Sequence, residues 1–485
     1  MKPFFRIAIW FLIPLFGILF VYRLTQIPSR QETAFFLIVF FVIPTLKYPR
    51  FGVYYLLSVP LFIPLLRRIY YLLSERPEVD FLMLIGDGVM VGFVTALLVG
   101  AVLKKERIHD RLTLWIIIYD LLLFIKIFFL NQGSIVEGLY GYKFNGLFVL
   151  FFFASSYVLD SLVSLRRALN FSAWALLITA LHGTNQFFFG FTGFEQKWLD
   201  SITFTTLRIE GIVRPFSTYV SPAAMADGMS ILILIGSFYI ARPLFATKAK
   251  GLLWTGVAVL PLLIATVRTS WAATVAGLLF FWIFLRLRQG WIRWVLLLIV
   301  TVAIVGLVTR SDSTADSQNT TLASNLRGDS KKVTSILITN RTQALANPLQ
   351  EYSIQKRMQI WTEIWYFAIR NPLGRGQGTH GYAHSYYFQV LGEIGFLGLF
   401  AFLIILFLSF KKGFQIIQGA QDPEIADLAR FSMSLIFIFC ILNITGTHLH
   451  SNPGDVFFWF TVGILSRLHS LTFPAPKSPL SKSAS

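Results

Sequence analysis

Three groups of polar residues stand out from an apolar chain, each beside a hydrophobic run. Arg214, in Val213-Arg-Pro-Phe-Ser-Thr-Tyr-Val-Ser-Pro222, precedes a run that starts near Ala223. Its guanidinium is a permanent cation whose planar fork suits a phosphate; an interfacial arginine reaching for lipid headgroups is the plainer alternative. Arg268, in Ala265-Thr-Val-Arg-Thr-Ser-Trp271, sits between two apolar runs with almost nothing separating them. Fixing an arginine there is costly unless an anion, a carboxylate or a headgroup meets it.

The third group begins at Arg357 and Trp361. It continues through Asn371-Pro-Leu-Gly-Arg375-Gly-Gln-Gly378 and Thr379-His-Gly-Tyr-Ala-His-Ser-Tyr386 to Tyr387 and Glu393. Gly374, Gly376 and Gly378 have a dinucleotide-loop spacing, but no parallel strand-helix-strand context surrounds them. Such glycines instead permit a tight backbone path close to a ligand. His380 and His384 have the spacing of a metal pair on a helix, yet Gly381 interrupts them and no acidic third ligand is near, so no metal is expected. Histidine as a proton acceptor is the better use, since its pKa near 6.5 leaves it neutral at physiological pH; a solvated loop histidine is the alternative. Asp87, Asp120 and Lys126 lie inside apolar runs and are expected to pair between helices. Asp120 and Lys126, about 240° apart around a helix, do not face each other.

The elements that must position these groups are membrane helices. Of 485 residues, 55% are hydrophobic and only 14% charged, with mean hydropathy +0.66; a single water-soluble core does not account for this. Apolar segments fall near 5–21, 34–46, 51–66, 81–103, 112–130, 146–159, 171–189, 223–240, 252–267, 271–285, 292–308, 396–410, 431–446 and 456–466. The fold class is therefore all-α, a polytopic bundle of about 12 to 14 spans, several of them short for a hydrocarbon core of ~30 Å.

The excess of 42 Lys and Arg over 24 Asp and Glu sits mostly in short loops, where it orients spans, so a nucleic-acid partner is not expected. Lys104, Lys105, Arg107 and Arg111; Arg166 and Arg167; Arg242, Lys248 and Lys250; Arg286, Arg288 and Arg293; and Lys411 with Lys412 all fall on one side if the spans alternate. That side is cytoplasmic, which places the termini inside and residues 190–222 and 309–393 outside. Arg23, Arg30, Arg67 and Arg68 then also fall outside.

The chain divides into an N-terminal bundle (1–308), a long outward loop carrying His384 (309–395), C-terminal spans (396–470) and a disordered cytoplasmic tail (471–485). Residues 309–349 read as loosely structured. A helix is expected over 352–369, ended by Asn371-Pro372, and a new helix then carries His384 into the span near 396–410. Cys440 is the single cysteine, so no internal disulfide forms. Residues 1–22 read as an uncleaved first span. No internal repeat is visible, which weakens a transporter built from related halves.

His384-Ser385, nine further residues, then Gly395-Phe-Leu-Gly398 resembles the signature of the O-antigen ligase and polymerase superfamily. Arg357 with Trp361, Asn371-Pro-Leu-Gly-Arg-Gly376, Arg214-Pro-Phe-Ser-Thr-Tyr with Pro222, and Thr266-Val-Arg-Thr-Ser-Trp271 resemble its other elements, with Val267 where serine is common. The resemblance spans roughly 208–404. It implies transfer of a glycan from undecaprenyl diphosphate at the periplasmic face of a bacterial inner membrane to a glycan, lipid or protein acceptor, without metal or other cofactor. His384 is then the candidate base and Arg214 and Arg268 the cations for the diphosphate. Arg357, Trp361, Arg375, Tyr386, Tyr387 and Glu393 are candidate substrate contacts. A transporter without bond formation is the second reading.

Overall fold

The structure is a computed structural model that describes residues 36–73, 82–104, 110–129, 135–202, 207–209, 212–242, 245–283, 352–376, 382–450 and 452–473. The first expected span, the span near 292–308, the stretch 309–349, His380 and the tail after 473 lie outside the described residues. In chain order the α-helices are α1 (Ile43–Lys47), α2 (Pro49–Leu56), α3 (Ile63–Leu73), α4 (Leu82–Lys104), α5 (Arg111–Phe129), α6 (Ile135–Asn145), α7 (Leu162–Phe189), α8 (Gly193–Ser201) and α9 (Pro222–Ile240). They continue with α10 (Phe245–Ile264), α11 (Arg268–Trp282), α12 (Tyr352–Arg370), α13 (Tyr386–Gly419), α14 (Pro423–Thr445) and α15 (Gly454–Thr472). Among the described residues the regular structure is helical apart from a two-residue antiparallel pairing of Arg208–Ile209 with Ile212–Val213.

By length and composition, 4 described helices can cross a bilayer: Pro222–Ile240, Ala246–Ile264, Tyr386–Gly419 and Pro423–Thr445. A fifth arises if Pro49–Leu61 and Ile63–Leu73, bent by 60°, form one span. This count is of the described residues alone, since the first expected span and the one near 292–308 lie outside them. α5 carries Arg111, Asp120 and Lys126. The segment near 146–159 is no α-helix but a 3-10 turn, Leu147–Phe151, followed by a π turn, Ala154–Val158.

Ser221 starts α9 by accepting from the Ala224 amide at 3.2 Å, with Pro222 in the first helical position, where its missing N–H costs nothing. From there α9 is buried on nearly every side, as expected of a helix apolar all round. Gly236 of α9 and Gly251 of α10 let the two backbones touch, the small-residue contact that substitutes for hydrophobic driving force in lipid.

Polar contacts sort the helix ends into two sets. At one end Lys412 meets Asp110 at 2.7 Å, Arg166 lies 3.7 Å from Glu424, Arg242 pairs with the same carboxylate, and Arg50 meets Asp160 at 3.0 Å. Of the basic residues expected to share a side, Arg166 and Arg242 thus meet one carboxylate, Glu424, and Lys412 meets Asp110. The opposite end holds Arg68, Gln186, Arg214, Asp227, His384 and His448. The embedded ionisable residues pair between elements: Lys143 with Asp87 at 2.6 Å, Tyr142 with Asp120 at 3.1 Å, and Lys126 with the Gly374 carbonyl at 3.1 Å.

α13 is broken at Gly395, whose φ of 79° and ψ of −168° belong to a region open essentially to glycine. The turn Pro372–Gly376 crosses this break: Phe396 N donates to Pro372 O at 2.9 Å, Gly376 N to Glu393 O at 2.9 Å and Arg375 N to Gly392 O at 3.3 Å. A Cβ on Gly395 would run into the Pro372 carbonyl, and one on Gly374 into that of Glu393. Gly395→Ala is therefore expected to cost at least about 1–3 kcal/mol. A fall in melting temperature of the detergent-purified protein, absent from an exposed-site control such as Leu397→Ala, checks this.

Candidate functional site

Arg214 follows the strand pairing, its amide bonded to Leu207 O at 3.0 Å. The segment after it is held rigidly. Gln186 Oε1 accepts from the amides of Phe216 (3.1 Å) and Ser217 (2.7 Å), and Thr218 Oγ1 donates to Leu61 O at 2.7 Å. Arg68, 2% exposed, donates to the carbonyls of Ser217 (2.9 Å) and Tyr219. Its guanidinium lies over the rings of Phe216 (4.3 Å) and Trp198 (5.0 Å) and 3.9 Å from Glu195. Arg68 of α3 is thus a buried clamp on the Arg214 segment, satisfied by carbonyls, rings and a carboxylate.

From that base Arg214 Nη1 reaches Ala265 O at 3.2 Å and Thr266 Oγ1 at 3.5 Å. Thr266 has φ +54°, a left-handed conformation that ends α10 abruptly and lets Arg268 open α11 two residues later. Arg214 and the Arg268 turn are thus joined. α11 is tied onward, since Thr445 Oγ1 at the end of α14 donates to Thr269 Oγ1 at 3.0 Å.

The end of α14 also holds the start of α13. Tyr386 N donates to Gly446 O at 3.0 Å and Ser385 Oγ to Asn443 O at 3.1 Å. Contrary to the sequence reading, His384 is not on the helix; it precedes the N-cap Ser385 with φ +53°. The left-handed backbone turns its half-buried ring out of the helical path and against Tyr382, with centroids 4.4 Å apart. Burial, then the positive charges of Arg357 and Lys356, hold the imidazole below its ordinary pKa.

The other candidates support this loop. Trp361 donates to Ala383 O at 2.9 Å and stacks on Phe388 at 5.3 Å. Ala383 N donates to Gln389 Oε1 at 3.0 Å, and Gln389 in turn donates to Glu393. Glu393 is 3% exposed and also accepts from Asn145 at 3.3 Å, so it is built into the wall behind His384. Tyr386 is 1% exposed, bonded to Tyr119 at 2.9 Å and packed edge-on to Phe402 and His450, which leaves no open ring face for a sugar. Tyr387, partly buried, donates to Cys440 O at 3.0 Å. Exposed Arg375 donates to Asn371 at 3.1 Å and lies over Phe367.

The loop after α14 was not singled out from sequence. His448 Nδ1 lies 2.6 Å from Asp227 Oδ2 of α9, and His448 N donates to Asn443 Oδ1 at 3.1 Å. His450 is partly buried beside Tyr386, and this desolvation lowers its pKa to about 4. An Asp inside an apolar run and a His-Leu-His in a short loop were the available signals.

No curated protein matches this chain. Residues 251–403 match the family model described as O-Antigen ligase, a span containing Arg268, Arg357, Trp361, Arg375, His384 and the Gly395 break. That match bears out the resemblance to the O-antigen ligase and polymerase superfamily that the motifs carry.

Proposed function

We propose that the protein is a membrane glycan transferase that moves an oligo- or polysaccharide from undecaprenyl diphosphate to an acceptor hydroxyl at the periplasmic face of a bacterial inner membrane. The observation that carries this reading is the convergence at the end of α14. Within the matched family span, the start of α11 with Arg268 and the start of α13 with His384 are both hydrogen-bonded to Thr445–Gly446.

The chemistry follows from these side chains. The acceptor oxygen forms a bond to the anomeric carbon while the bond from that carbon to the phosphate oxygen breaks, and the diphosphate leaves with the electron pair. Fixed cations stabilise that departing charge, a role assigned to Arg268 and Arg214. His384, held neutral by its surroundings, takes the acceptor proton. Arg357 contributes positive charge beside His384, and Arg375 is exposed at the turn below. Glu393, Trp361 and Tyr386 act by holding the His384 loop.

The test is transfer by the detergent-purified protein, given a lipid-diphosphate glycan and candidate acceptors with EDTA present. A new glycosidic bond and release of undecaprenyl diphosphate are expected. Movement of the glycan across vesicles without any bond formed would replace this reading with the transporter one.

A further inference from the structure

α12 has three faces, and only two are accounted for by the protein and by water. Trp361, Ile364 and Ala368 pack inward, Ile364 being 3% and Ala368 0% exposed. Lys356, Gln359 and Glu363 form an exposed polar stripe, with Gln359 donating to Glu363 at 2.8 Å. Between these, Trp365 (46% exposed), Tyr366 (61%), Ile369 (55%) and, past the helix end, Leu373 (50%) form an apolar patch.

That patch is continuous with the outward row of a membrane span. Trp365 packs edge-on to Phe396 with centroids 5.8 Å apart. Phe396 begins the exposed series Phe400, Leu403 and Phe407 on α13, at helical spacing along a helix long and apolar enough to cross a bilayer. A row of large exposed apolar side chains on such a helix faces lipid, and Trp and Tyr are the residues that sit where lipid meets water.

We infer that the C-terminal half of α12 and the turn after it are seated in the outer headgroup layer, with Trp365, Tyr366, Ile369 and Leu373 against lipid and exposed Arg370 at the level of the phosphates. The patch is too apolar to be left to water, and its continuity with the α13 row selects the bilayer as its occupant. The seat also fixes a height. The turn that follows α12 is hydrogen-bonded across the Gly395 break, so the His384 loop is held at a set distance above the hydrocarbon. This inference rests on the membrane reading of α13 and not on the chemistry assigned to His384.

The test uses the full-length protein with Cys440→Ala as background, in nanodiscs of phosphatidylcholine and phosphatidylglycerol. Single cysteines at Tyr366, Ile369 or Glu363 are labelled with a small fluorophore. Nitroxide-bearing lipids should quench the labels at 366 and 369 several-fold more than iodide does, and iodide should dominate at 363. Equal iodide quenching at all three positions would overturn the proposal. So would protection of 366 and 369 from both quenchers, or cross-linking of those positions between two copies.

Discussion

Glycan transfer by His384→Asn is expected to fall by roughly 10²–10⁴-fold, the usual worth of a positioned general base. Asparagine is the better substitution than alanine because His384 has φ +53°, a conformation asparagine tolerates well, so the variant removes the imidazole without adding backbone strain. The pH profile supplies the second measurement. A base works only when neutral, so activity is lost as pH falls through its folded pKa. Burial and the charges of Arg357 and Lys356 hold that pKa below 6.5, so the acid limb of the wild type lies on the low side of the ordinary histidine value. Lys356→Gln removes one cation, makes the imidazolium easier to form and shifts the limb upward. Initial rates against pH for wild type and Lys356→Gln read this out. Wild-type transfer by His384→Asn, or a limb unmoved in Lys356→Gln, would sink the assignment.

The sequence was informative where a side chain's type is unusual for its surroundings. Arg214, Arg268 and His384 are polar residues beside apolar runs, and the structure places all three at one end of the bundle, linked through Thr266, Thr269 and the Asn443–Gly446 stretch. The helix at Tyr352–Arg370 was legible from its period, and its stop from Asn371-Pro372. What periodicity cannot report is which carbonyl meets which amide. The step of His384 off the helix, the break at Gly395 and the turn that bridges it are set by tertiary hydrogen bonds. Glu393 and Tyr386 illustrate the same limit. Their types suggest ligand contacts, but position on α13 turns both inward, where they support the loop.

Asp227 was as legible in the sequence as the acidic residues named above. It is an acidic residue inside an apolar run, the same signal as Asp87 and Asp120, and its partner His448 lies far along the chain. Asp227 is 2% exposed and only 2.6 Å from His448 Nδ1, so removing either partner strands the other in a buried setting. A buried polar group left without its hydrogen-bond partner typically costs about 1–3 kcal/mol. Asp227→Ala and His448→Ala are each expected to lower the melting temperature in detergent by that scale. Transfer should fall with it, because His448 is bonded to Asn443, whose carbonyl holds Ser385, and sits in the loop whose Gly446 holds Tyr386 at the start of α13. The decisive measurement is the double variant. If the two side chains act on each other, Asp227→Ala with His448→Ala is no less stable than either single, since no lone polar group then remains buried. Asp227→Asn, which keeps an acceptor for the Nδ1 proton, should recover much of the stability. Strict additivity of the two alanine variants would show that the pair is two independent contacts, and the anchoring of the start of α13 would then rest on its bonds to Asn443, Gly446 and Cys440.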